Sequence, residues 1–185
     1  MRKNLRYAFI LFAICAICAL ILAYANSITA PVIAAHDAQA QEDALNPLAN
    51  GYQIESVIAL SNDKTVVGYY PLTEDKKQVG AILILKGSGY GGEFTLLGSY
   101  KLTGEILGAK MLSDSETPGL GKKSEESWYM MKFVGTGLAI PVPTSKSMLS
   151  KEDSDAVSGA SVTFGGVSKA LAYGSEYAKK LGGAK

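Results

Sequence analysis

Between Arg6 and His36 the chain carries no charged residue, and Tyr7 to Ala25 (YAFILFAICAICALILAYA) is almost wholly apolar. At about 1.5 Å per residue, a helix of this length reaches across the roughly 30 Å hydrocarbon core of a bilayer. There it satisfies its own backbone hydrogen bonds. The run therefore predicts one transmembrane helix over residues 7–30. Arg2, Lys3 and Arg6 precede it, whereas the first charges after it are the acids Asp37, Glu42 and Asp43. By the positive-inside rule, residues 1–6 are expected in the cytoplasm. The rest is expected on the other side of the cell (inner) membrane, as a single-pass protein. A cleaved signal peptide is the rival reading, because Ala23-Tyr24-Ala25 has the small-x-small form. The apolar run is long for that role, since a signal h-region has about 7–15 residues.

The only cysteines, Cys15 and Cys18, lie inside this run. A C-x-x-C pair can supply half of a metal or iron–sulfur site, but in an apolar helix the two side chains serve more simply as small packing groups. The exported part thus has no disulfide and no thiolate chemistry. A net charge of +1 gives no electrostatic basis for binding nucleic acid.

Residues 31–50 are rich in alanine and read as a stalk, helical beyond a kink at Pro31 and broken at Asn46-Pro47. The globular domain is expected over residues 51–185. Its first half carries β-branched and aromatic runs at Ile54–Leu60, Thr65–Tyr70 and Val79–Lys86. Turn residues separate them at 61–63 and 73–75. Glu93–Leu102 and Glu105–Leu112, joined by Thr103-Gly104, predict a hairpin. Ser124–Phe133 has helix-like spacing, and Val134–Pro143 reads as an extended or irregular return. A final helix over Thr163–Leu181 repeats small or apolar residues at Val167, Ala170, Leu171, Gly174, Tyr177, Ala178 and Leu181, one face for a sheet. The expected class is α+β, an antiparallel sheet packed with helices, preceded by the transmembrane helix.

Most chemical signatures fail on context. Gly87-Ser88-Gly89-Tyr90-Gly91-Gly92 matches G-x-G-x-x-G, yet Phe94-Thr95-Leu96-Leu97 continues as strand where a dinucleotide fold needs a helix. The run reads instead as a flexible loop able to approach a ligand. Gly121-Lys122-Lys123-Ser124 lacks the first P-loop glycine, because Glu116 stands there. The single histidine, His36, lies in the stalk, which leaves no zinc site and no serine–histidine pair. The carboxylate pairs Glu125-Glu126 and Asp153 with Asp155 read as solvated surface.

One anion site survives. Ser158-Gly159-Ala160-Ser161-Val162-Thr163 stands at the head of the last helix. Ser158 is expected as its N-cap and Gly159 as the point of close backbone approach. Free N–H groups of the first turn would receive a phosphate. A capped surface helix without ligand is the alternative.

Two stretches together, Ser115-Glu116-Thr117-Pro118-Gly119-Leu120-Gly121 and Ser158-Gly159-Ala160-Ser161-Val162-Thr163, resemble the FMN-binding domain of the G subunit of Rnf complexes. The same domain occurs in the C subunit of sodium-pumping NADH:quinone reductases. The run Gly89 to Leu97, the spacing to Trp128, the N-terminal anchor and the short length all fit the Rnf form.

The resemblance implies FMN bound covalently, through a phosphoester to the hydroxyl of Thr163. Ser161 stands where the family has threonine and Phe164 where a small polar residue often follows; both changes keep the acceptor. Asp114 stands where a histidine is frequent, which bears on a polar contact and not on attachment. Glu116, Thr117, Pro118, Gly119, Leu120 and Gly121 are expected as a turn facing the flavin, Thr117 either donating its hydroxyl or capping the next helix. Tyr90 and Trp128 are weighed as packing on the cofactor, with core packing favoured for Trp128.

By the same resemblance, the chain would be an electron-carrier subunit without independent turnover, serving a ferredoxin:NAD oxidoreductase complex that translocates ions. A flavin transferase using FAD would load it, and its partners would be the other membrane subunits. A tethered non-redox binding or structural domain, and a covalent-flavin reductase of an external acceptor, remain the alternatives.

Overall fold

The structure is a computed structural model and describes residues 2–183. Two compact units divide between Glu42 and Asp43. In the first, helix α1 (Arg2–Leu48) begins, and its described side chains from Arg6 to His36 are almost all exposed, including Cys15 and Cys18. This is the one helix among the described residues long and apolar enough to cross a membrane. The expected break at Asn46-Pro47 does not occur, and α1 continues through Pro31 and Pro47 to Leu48. Proline costs the helix one hydrogen bond. In the last turn, burial of Ala44, Leu45 and Leu48 offsets that loss.

The second unit is built on an antiparallel sheet of β1 (Gln53–Ile54), β2 (Ile58–Ala59), β3 (Val66–Glu74), β4 (Lys77–Ser88), β5 (Glu93–Lys101) and β6 (Ile106–Ser113). Strand order is β1-β3-β4-β5-β6, with β2 also on β3. The expected strand Ile54–Leu60 is instead two short pieces, each paired antiparallel over two residues with the edge of β3 that β4 leaves free. Thr73 and Glu74 belong to β3 rather than to a turn. The β3–β4 hairpin closes through Asp75 and Lys76, both at positive φ (49° and 63°), as a two-residue primed turn requires. The predicted Thr103-Gly104 hairpin joins β5 to β6, with Gly104 at φ 90°.

The sheet is covered on both faces, which explains the near-continuous apolar run in β4. Alternation decides which residue goes where. Ala81, Leu83 and Leu85 of β4 and Phe94, Leu96 and Tyr100 of β5 face the main core. Ile82 and Leu97 turn to the opposite face, where they meet Leu72 and the last turn of α1.

The main core is closed by α4 (Ser161–Leu181), which starts two residues earlier than expected and buries Phe164, Val167, Ala170, Leu171, Gly174 and Ala178. A Cβ on Gly174 would overlap the Tyr100 phenol, whose hydroxyl donates to Leu171 C=O at 3.1 Å. The helix-like segment 124–133 is three short pieces: a 3₁₀ turn Gly121–Glu125, α2 (Ser127–Met130) and a 3₁₀ turn Met131–Phe133. They deliver Tyr129 and Phe133 to Phe164, with Phe133 stacked on Phe164 at 5.2 Å between centroids. Trp128 is not in this core. It is 40% exposed, with the Lys132 ammonium 4.9 Å above its ring. Neighbouring positions of a helix point about 100° apart, and it is Tyr129 that points inward.

Candidate functional site

The chain after β6 turns at once. Asp114 Oδ1 accepts the Glu116 N–H at 2.8 Å and stands 3.7 Å from Lys122 Nζ. Thr117 C=O then accepts from the N–H groups of Leu120 and Lys122 at 3.1 and 3.3 Å, and Gly119 adopts φ 77°. Thr117 is exposed and serves the turn through its carbonyl. Its hydroxyl caps no helix, because the 3₁₀ turn that follows has Leu120 at its head. Glu116 points inward and is 5% exposed.

The second segment follows α3 (Lys151–Ala156). Ser158 N–H donates to Asp155 C=O and Ala160 N–H to Val157 C=O, both at 3.1 Å. Gly159 sits at φ 85°. Ser158 is thus not the N-cap of α4. That place falls to Ala160, without a side-chain bond, because the left-handed Gly159 completes a turn before the helix can begin. The first bond of α4 runs from Phe164 N–H to Ala160 C=O at 2.8 Å. The N–H groups of Ser161, Val162 and Thr163 precede that ladder and remain available to an anion.

A cavity of about 330 Å³ joins the two segments. Its wall is made by Glu116, Thr117, Leu120 and Gly121 on one side and by residues 159–163 on the other, with Tyr90 at the rim. Of the residues expected at the site, Pro118, Gly119 and Ser158 lie outside the lining. The volume falls within the range of about 300–1,000 Å³ usual for ligand pockets. Lys123 reaches across from the first segment, its Nζ donating to Ser158 C=O at 3.2 Å and Ala156 C=O at 3.4 Å. Replacing it (Lys123→Ala) is expected to speed amide exchange in residues 158–163 while lowering global stability by less than about 1 kcal/mol, as for other exposed polar contacts. Hydrogen exchange read by mass spectrometry checks this.

The polar groups at this cavity are left incomplete. Thr163 is 1% exposed and its Oγ1 has no partner. Glu116 Oε1, in the same lining, is buried and unpartnered as well, as are Asp114 Oδ2 and Tyr129 Oη of residues outside the lining. Burial, with the Glu116 carboxylate nearby, pushes the Tyr129 phenol well above its ordinary range. Native proteins leave few buried polar atoms unsatisfied, and a concentration of them marks a place built for something else.

Sequence reasoning missed what the glycine-rich run does. It forms the β4–β5 turn, closed by Gly89 N–H to Gly92 C=O at 2.8 Å. A Cβ on Gly89 would overlap Glu116 Oε1, one on Gly121 would overlap Glu116 Oε2, and one on Gly91 would overlap Ser115 C=O. These glycines are space for the Glu116 loop, not hinges. Tyr129 was also missed, since its signal was hidden behind the more conspicuous Trp128. Among the described residues no group of three or more His, Cys, Asp and Glu is placed to hold a metal ion.

These features fit FMN: a cavity of suitable size, free N–H groups at a helix head for a phosphate, and a buried hydroxyl without a partner. Residues 89–176 match the FMN-binding domain model, and residues 1–48 match the RnfG N-terminal region model. The G subunit of the ion-translocating oxidoreductase complex of Cereibacter sphaeroides is 36% identical over 140 residues, 68% of this chain and 61% of that protein. The G subunit of the proton-translocating ferredoxin:NAD(+) oxidoreductase complex of Clostridium ljungdahlii is 27% identical over 158 residues, 85% of this chain and 82% of that one. The G subunit of the ion-translocating oxidoreductase complex of Shewanella baltica is 33% identical over 110 residues, 57% of this chain and 51% of the relative. The chain thus spans about three fifths of the Cereibacter relative and half of the Shewanella one. With the two models matching both its N-terminal helix and its globular part, the chain belongs to the FMN-binding-domain family, in the form that carries an RnfG N-terminal region.

Proposed function

We propose that this chain is a membrane-anchored flavoprotein subunit of an Rnf-type, ion-translocating ferredoxin:NAD oxidoreductase complex, relaying electrons through FMN joined by a phosphoester to Thr163. The observation that carries this reading is the meeting of the two motif segments at one cavity beside a buried Thr163 hydroxyl that has no partner. The names of the relatives support the complex, and the N-terminal helix supports the anchor.

In this reading residues 1–6 are cytoplasmic, 7–30 cross the membrane, 31–50 form the link and 51–185 hold the cofactor outside the cytoplasm. The N–H groups of Ser161, Val162 and Thr163 hold the phosphate, where the helix dipole favours one negative charge by about 0.3–1 kcal/mol. Thr117, Leu120, Gly121 and Tyr90 shape the wall against the ring system. Bound FMN supplies the redox chemistry. A covalent link keeps the cofactor in place where no free pool replaces it. A flavin transferase with FAD as donor installs it, and the other membrane subunits of the complex exchange electrons with it.

Intact mass of the purified full chain tests the proposal. The expected result is the retained N-terminus plus one FMN-phosphoryl group, with flavin fluorescence on a denaturing gel. A chain from a transferase-bearing host with neither the added mass nor the fluorescence would overturn the attachment.

A further inference from the structure

The attachment site contains a second group with no assigned part. Glu116 is a carboxylate buried to 5% exposure, with one oxygen unpartnered, and the fold makes unusual room for it. Gly89 and Gly121 lie so close to its two oxygens that a Cβ at either position would overlap them. Burying a carboxylate and leaving an oxygen unmatched is costly. Simple packing would be served better by an apolar side chain.

Its position supplies a reason. A Cβ on Gly89 that met Glu116 Oε1 would also lie 3.4 Å from Thr163 Cγ2, so the carboxylate and the threonine flank the same small volume. The Thr163 methyl borders this volume, and Oγ1 is buried without a partner. Threonine in a helix populates two χ1 rotamers, and one step about χ1 exchanges methyl for hydroxyl. That step turns Oγ1 toward Glu116 at no cost in hydrogen bonds.

We propose that Glu116 is a catalytic residue of the chain's own modification: it accepts the Thr163 hydroxyl proton as Oγ1 attacks the flavin-side phosphorus of a flavin dinucleotide. The inference rests on Thr163 being the attachment point. The new bond is Oγ1–P, and the bond broken joins that phosphorus to the bridging oxygen. Adenosine monophosphate leaves with the bridging oxygen, and the proton resides on Glu116 Oε1 until solvent takes it. No redox change occurs. The transferase brings the dinucleotide, and the acceptor protein brings the base. The ionisable groups facing Glu116 are Asp114 with Lys122 from its own loop and the following 3₁₀ turn, Tyr129 from α2 and Tyr90 from the β4–β5 turn.

The test follows FMN-phosphoryl addition by intact mass, using purified full-length chain, purified flavin transferase and FAD. Glu116→Gln is expected to slow addition by about 10²- to 10⁴-fold, the usual worth of a positioned base, while its melting profile stays that of the unsubstituted chain. In Glu116→Ala, added formate is expected to restore part of the rate, which a structural role would not allow. If the Gln chain fails to fold, Glu116→Asp replaces it. Withdrawing the base by one methylene is expected to slow addition about tenfold or more. Normal rates in folded Gln or Asp chains, or no response of the Ala chain to formate, overturn the role of Glu116. An unsubstituted chain that gains no mass, or a Thr163→Ala chain that gains it, overturns the attachment reading instead.

Discussion

Thr163→Ala is expected to give a folded, membrane-anchored chain with no covalent flavin, whereas Thr163→Ser keeps it. The two results separate because the threonine hydroxyl contributes little to folding. It is 1% exposed, yet its oxygen makes no hydrogen bond. Removing an unpartnered buried hydroxyl relieves a desolvation cost of about 1–3 kcal/mol, which offsets part of the packing lost with the methyl. The net stability change is expected within about 1 kcal/mol. Flavin attachment, in contrast, changes from complete to none, because the neighbouring Ser161 sits on a different side of the helix turn and is exposed. Intact mass and gel fluorescence read attachment, and thermal melting by circular dichroism reads folding. Covalent flavin in the alanine chain would sink the assignment to this oxygen.

Phe164→Ala is expected to have the opposite signature, with stability lost first. Phe164 is fully buried, stacked on Phe133 at 5.2 Å and edge-on to Tyr129 at 5.9 Å. Truncating a core phenylalanine costs about 3–5 kcal/mol through lost transfer energy and the cavity left behind. In a protein of this size that lowers the melting temperature on the order of ten degrees. The cavity wall is affected second, because Phe164 anchors the first turn of α4 from beneath. A melting temperature unchanged by the substitution would show that this aromatic cluster does not hold the helix head in place.

The contrast between these adjacent residues shows what was legible in the sequence. The small-residue run before α4 and the Glu-Thr-Pro-Gly-Leu-Gly run were both visible as strings, and both line the cavity for most of their length. Ser158 is a good N-cap by composition, but the positive φ of Gly159 completes a turn first and passes the cap of α4 to Ala160. Trp128 and Tyr129 could not be told apart by residue type. Which of two neighbours turns inward depends on the axis of a four-residue helix, and packing against Phe133 and Phe164 fixes that axis.

Local chemistry therefore settled the features that need no distant partner. These are a membrane-length apolar helix from a charge-free run, antiparallel strands from β-branched runs and turns, and one face of α4 from its repeat. The run holding Gly89 and Gly91 reads as a flexible loop and Gly121 as a point of close approach to the flavin, because a sequence does not show what a missing side chain makes room for. In the fold, the β4–β5 turn and the loop after β6, far apart in the chain, close on the Glu116 carboxylate, and no Cβ fits between them. Residue order alone thus specifies the elements and the two motifs. That both motifs share one cavity with a buried acid and a buried hydroxyl is a property of the folded chain, because burial and the loss of hydrogen-bond partners arise from contacts between distant segments.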